Sequence, residues 1–144
     1  MPFVDKLLML AMAAQVLLTL GLVLWLGRER VPRVMRGEIA VADIAVDRTA
    51  YPLKARLLSN SFDNQFQLPV LFFIAALVAL HLGAVGWVEV IFAWAFVALR
   101  YVHAAIHVTT NHVEQRFAAY AAGLAVLALF WLWLVVKILL APSI

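Results

Sequence analysis

Residues 88–108 read VEVIFAWAFVALRYVHAAIHV. A helix needs about 20 mostly apolar residues to cross the hydrocarbon core of a membrane, and this run is long enough. Yet Arg100, His103 and His107 lie inside it, at helical steps of three and four, with Asn111 continuing the stripe. Polar groups at membrane depth are costly unless they meet a partner or face a cavity. The stretch therefore places the chain in lipid and gives one helix a polar face that needs a reason.

Three further runs of the same kind flank it: Leu7 to Gly27, Leu68 to Gly83 (followed by Ala84-Val85-Gly86) and Phe117 to Leu140. Leu7–Gly27 reads as a retained anchor helix. It is too long for a signal-peptide core, and Arg28-Glu29-Arg30 stands where a cleavage site would be. No stretch alternates like a barrel strand, and helices are the other backbone solution that lipid permits. The 144 residues thus read as a single all-α domain, an integral-membrane four-helix bundle with spans at about 6–27, 66–84, 88–109 and 117–140.

Composition agrees. Hydrophobic residues make up 67% and charged residues 13%, against roughly 45–50% and about 25% in globular proteins. Mean hydropathy is +1.01. So small a domain cannot hide that much apolar surface in a core. These values exclude a cytosolic enzyme, a disulfide scaffold and a nucleic-acid-binding domain. The absence of cysteine removes thiolate metal sites and cysteine nucleophiles.

The net charge of +3 is not spread evenly. Arg28, Arg30, Arg33, Arg36, Arg48, Lys54 and Arg56 crowd the connection between the first two spans. The turn around Gly83 to Trp87 has no basic residue, and the third connection has Arg116. By the positive-inside rule the first and third connections, including the loop 28–55, are cytoplasmic and both termini are outside. The short loops fit a bacterial inner membrane with periplasmic termini. Tyr51-Pro52 looks like a helix start. From there no breaker occurs until Pro69, so the second helix is expected to protrude from the membrane and bend at Pro69. The stretch Val31 to Val46 reads either as a short interfacial helix or as irregular loop.

Two polar sets are candidates for chemistry. Arg56, Asn60, Asp63, Asn64 and Gln67 fall on one face of the second helix. They form either a ligand site at the membrane edge or an ordinary hydrated helix end. Arg100, His103, His107 and Asn111 lie at the same level on the third span. They form either a ligand site or an internal pairing, for example of Arg100 with Asp63. Glu89 reads as an acidic charge favoured by the dipole at a helix start. Lys137 is placed to snorkel, with Trp131 and Trp133 near the outer interface. His103 and His107 are too few ligands for zinc, so no metal is expected. Ala118/Ala122 and Ala119/Gly123 are small-residue pairs that permit close helix packing.

Four spans in this length, a long polar start to the second helix and Arg100-Tyr101 in the third resemble the MAPEG family, the membrane-associated proteins in eicosanoid and glutathione metabolism. Asn64-Gln65-Phe66-Gln67-Leu68-Pro69 is similar to the family's Asn-x-x-Glu followed closely by proline, with Gln67 at the acid's position. Arg56 is similar to the arginine upstream of that asparagine. The family's second tyrosine falls at Ala105, and His103 and His107 are read as occupying that face instead. These departures look more like a bacterial-type branch than an eicosanoid synthase.

The resemblance implies a homotrimer with glutathione bound between subunits, acting on lipophilic electrophiles or lipid hydroperoxides as a transferase or peroxidase. In that scheme Arg116 or Arg100 stabilises the thiolate and Tyr101 positions the tripeptide. Arg56, Asn60, Asp63, Asn64, Gln67, His103 and His107 supply the binding groups. It equally permits a non-catalytic trimer that binds lipid or scaffolds a partner, because the family includes a lipoxygenase-activating protein without known catalysis. Membrane lipid and a lipophilic small molecule are the expected partners.

Overall fold

A computed structural model describes residues 1–83 and 85–141. All secondary structure among them is helical. Helix α1 runs over Phe3–Met35, α2 over Leu53–Asp63, α3 over Leu68–His81, α4 over Trp87–Val108 and α5 over Val113–Leu140. Four stretches are long and apolar enough to cross a membrane: α1, the α2–α3 pair taken together, α4 and α5. Large apolar side chains cover the outside, Leu17, Leu24, Ile91 and Leu132 among them. That is the surface expected of a protein solvated by lipid.

The helix ends depart from the expected spans in instructive ways. Helix α1 does not stop near Gly27 but continues through the arginine cluster to Met35, with Pro32 inside its last turns. At 33 residues it is about 50 Å long, so its basic end projects beyond the hydrocarbon. Gly37 turns the chain away with a left-handed φ of 71°, a conformation open to glycine at little cost. The loop expected over 28–55 is therefore helix at its start, with one short 3-10 turn at Val41–Ile44. The expected end of the second span at Ala84 lies outside the described residues.

The bend in the second span comes earlier than expected. Helix α2 passes into a 3-10 turn at Asn64–Phe66, and Gln67 leaves helical geometry altogether (φ −103°, ψ −107°). Pro69 is instead in the first turn of α3. Proline has no N–H for the carbonyl four residues back, here that of Gln65, and its ring crowds that carbonyl. The distortion therefore falls before Pro69 and not on it. This joint turns Asn64 and Gln67 away from the line of α2.

Helix α4 is the central element. In its most apolar stretch 44% of residues are buried, against 22% in α1 and in α5. One core cluster joins Leu8 and Ala11 of α1, Phe72, Ala75, Ala76 and Ala79 of α3, Ala93 and Phe96 of α4, and Phe130 and Leu134 of α5. Phe72 and Phe96 stack with ring centres 5.0 Å apart. The alanines let backbones approach closely, which is how helices gain contact in lipid. Of the small pairs, Ala119 and Gly123 are buried, and a Cβ on Gly123 would just touch Leu99. Ala118 and Ala122 face outward.

Among the polar contacts that stitch the helices together are two built on buried side chains. Gln15, fully buried on α1, donates from Nε2 to Oε1 of Gln65 at 2.9 Å, and Gln65 donates to the Ser61 carbonyl. Replacing Gln15 by leucine leaves the Gln65 amide oxygen without its donor. The thermal midpoint in detergent is expected to fall by the equivalent of about 1 kcal/mol, as for other interhelical bonds in membranes; an unchanged midpoint would remove this pair as a contributor. At the opposite end, Glu89 is more than a helix-dipole charge. It is 1% exposed, accepts from Lys137 Nζ at 2.6 Å and Trp133 Nε1 at 2.7 Å, and takes the Gly86 N–H at 2.7 Å.

Candidate functional site

The last turn of α4 and the first turn of α5 meet at Asn111, whose φ of 51° is left-handed, a region asparagine tolerates better than most residues. That turn reverses the chain so tightly that His107 and Arg116 come to border the same space. Arg116 Nη1 donates to Asn111 Oδ1 at 2.6 Å, which fixes the guanidinium at the mouth. The joint at Gln67 presents Asn64 and Gln67 from the other side.

The result is a recess of about 310 Å³ lined by Asn64, Gln67, His103, His107, Arg116 and Tyr120, with Val113 and Phe117 as apolar wall. This is at the small end of the roughly 300–1,000 Å³ typical of ligand sites. His103 and His107 are both buried, with ring centres 5.8 Å apart, and His103 is also 5.8 Å from the Tyr120 ring. The Nδ1 of each histidine has no hydrogen-bond partner in the structure.

One turn before His103 on α4 is Arg100, 1% exposed. Its Nη2 donates to the backbone carbonyl of Asn64 at 3.0 Å, while Nε and Nη1 are buried without a partner. Buried polar atoms without partners are rare, because each carries its desolvation cost uncompensated. Four of them, on Arg100, His103 and His107, cluster along one face of α4. Among the described residues no carboxylate lines the recess, and the first turn of α5 borders it with the positive end of a helix dipole. The arrangement is suited to holding an anion.

Other expected members stand elsewhere. Asp63 does not pair with Arg100. It is exposed and takes a two-pronged contact from Arg48 at 2.5 and 3.5 Å. The carboxylate raises Arg48 above its ordinary value through that hydrogen bond. Asp63 is the last residue of α2 in ordinary helical geometry, so it stands about 100° around the helix from Asn64 and meets the loop at Arg48. Arg56 is half-buried with Nε unpartnered, and Asn60 is exposed, its carbonyl accepting from Asn64 Nδ2 at 3.0 Å. Neither lines the recess.

Tyr101 is also on a different side of α4: its hydroxyl donates to the Ala14 carbonyl of α1 at 2.8 Å. Ala105 shares that α1-facing side. His103 and His107 therefore do not occupy the face of Ala105, because a two-residue offset on a helix is about 200°. Tyr120 was not among the sequence candidates. Its signal was present, since it lies four residues after Arg116 and so on the same face of α5.

Compared with known proteins, residues 8–136 match the model of the MAPEG family. No curated protein and no solved structure matches the chain.

Proposed function

The chain belongs to the MAPEG family, and from that premise we propose that it is a membrane glutathione transferase or peroxidase acting on lipophilic electrophiles or lipid hydroperoxides. The observation that carries this reading is the acid-free recess at the α4–α5 turn, with Arg116, two buried histidines and two amides around it and Arg100 behind it. Glutathione supplies a thiol whose sulfur is the nucleophile.

The side chains fit the tripeptide's charges. Arg116 is the cation at the mouth, and beyond its bond to Asn111 its guanidinium has no acceptor among the described residues. A cation beside a thiol favours the thiolate. The unpartnered N–H groups of Arg100 match a carboxylate. Either imidazole donates from Nδ1 or accepts there according to tautomer. The amide oxygens of Asn64 and Gln67 serve the ammonium group. Phe117 and Val113 give an apolar side for a substrate arriving from lipid. The chain's contribution is to hold both reactants together and to place fixed charge at the sulfur. Homotrimer assembly, with the basic connections cytoplasmic and the termini outside, belongs to the same reading.

A second reading is non-catalytic lipid binding or partner scaffolding. Two observations favour it: the recess has no acid for the ammonium group, and Tyr101 is bonded to α1 away from the recess. Heating detergent-purified protein with glutathione separates the two. At 100 times its dissociation constant the tripeptide should add about 2.7 kcal/mol of stability, and Arg116→Ala should abolish transfer to a model electrophile. Absence of any thermal shift would favour the second reading. Turnover that survives Arg116→Ala would move the thiolate-stabilising role to another cation.

A further inference from the structure

On the side of α4 away from the recess, α1 and α4 leave an apolar groove of about 320 Å³ walled by Leu17, Leu18, Ala104 and Ala105. Gly21 and Trp25 line this groove and also a second hollow that continues along α1 to Arg28 and Glu29. The space beside Gly21 is open, for a Cβ there would meet nothing within 4 Å, so only a longer side chain reaches across it. The two open hollows share Gly21 and Trp25 and together span from hydrocarbon depth to the charged end of the bundle.

That end holds unspent donors. Lys54 stands over the Trp25 ring at 4.5 Å and gives one hydrogen bond to the Val108 carbonyl; an ammonium has three to give. Arg28 is exposed and has no hydrogen bond or ion pair among the described residues. Glu29, the acid at this edge, is already paired with Arg33 at 3.6 Å. The indole N–H groups of Trp94, Trp131 and Trp133 all have acceptors within the chain. Those of Trp25 and Trp87 have none among the described residues, and Trp25 is the one beside Lys54 and Arg28, where tryptophan at the membrane edge commonly engages the headgroup layer.

We propose that this groove binds an anionic phospholipid. One acyl chain lies along Gly21 between α1 and α4, and the phosphate meets Trp25, Lys54 and Arg28. A zwitterionic headgroup carries its own cation to compete with these two, whereas that of phosphatidylglycerol carries none. Each basic residue at a membrane surface favours an anionic lipid roughly fivefold. The pair should therefore favour phosphatidylglycerol over phosphatidylcholine by roughly twenty-five-fold.

Native mass spectrometry of the full chain in detergent, titrated with each lipid, tests this. The expected result is one retained phosphatidylglycerol per chain at much lower concentration than phosphatidylcholine. Gly21→Leu should block the passage and abolish retention of both, at no cost to the helix. Arg28→Gln, an exposed change that leaves the fold intact, should keep the lipid while lowering the preference about fivefold. Equal retention of the two lipids by the parent chain would overturn the proposal. So would an unchanged preference in Gly21→Leu, because that would mark a diffuse attraction to the basic connection. A groove sealed by a second copy of the chain would show no retained lipid, which also overturns it.

Discussion

Replacing Arg100 with methionine is expected to stabilise the protein while weakening anion binding about a hundredfold. The side chain is 1% exposed, meets no carboxylate among the described residues and leaves two of its nitrogens without partners. An uncompensated buried cation costs several kcal/mol, and exchanging buried charge for a hydrophobe of similar volume often gains about 1–4 kcal/mol. Only the bond to the Asn64 carbonyl is lost in return, about 1 kcal/mol. Opposed changes of this kind are what a residue kept for a ligand should show, because strain held in the free protein is relieved when the ligand binds. Thermal unfolding and calorimetric titration with glutathione, both in the same detergent, measure the two effects. If Arg100→Met melts lower than the parent, the arginine is a strut for the joint at Asn64. If binding is unaffected, Arg100 is outside the site. Arg100→Lys keeps the charge but not the planar fork, so it should recover only part of the affinity.

Glu89→Leu should be the most damaging change at the other end of the bundle. It strips a carboxylate from Lys137, an N–H acceptor from Trp133 and the capping oxygen from Gly86. Breaking a buried pair from one side costs about 3–5 kcal/mol. The Lys137 side chain is 31% exposed, so water offsets part of that, and a loss near 3 kcal/mol is expected. The double variant Glu89→Leu, Lys137→Leu should recover most of it, since no cation then depends on the missing acid. Glu89→Gln should cost less, because an amide oxygen still accepts from Trp133. Unfolding midpoints of the parent, Glu89→Leu, Lys137→Leu and the double variant close a double-mutant cycle. A double variant as unstable as Glu89→Leu would show that the capping bonds, not the ion pair, hold this end together.

The polar stripe on α4 was legible because lipid makes every buried polar residue conspicuous. Arg100, His103 and His107 are at steps that must share a face, and the structure puts both histidines at one recess. The set on the second span was legible only as a list. Arg56, Asn60, Asp63, Asn64 and Gln67 fit one continuous helix, but the chain leaves helical geometry at Gln67, Asp63 pairs with Arg48, and only Asn64 and Gln67 line the recess. Proline marks such a break within a few residues, and those few residues decided which side chains belong to the site. Tyr120 and the bond between Gln15 and Gln65 were legible only in part. A lone polar residue in an apolar run announces that it needs a partner, but not which one.

The sequence by itself determined that this is a membrane protein of four helical spans. Span length and hydropathy are local properties set by bilayer thickness, and no packing detail can override them. It also determined which residues lipid would not tolerate unpaired. Only the tertiary structure decided the pairings, through the break after α2 at Gln67, the left-handed Asn111 and the two-residue offset separating Tyr101 from His103. Each is a matter of about 100° of helix rotation per residue, to which hydropathy is blind and on which a binding site depends.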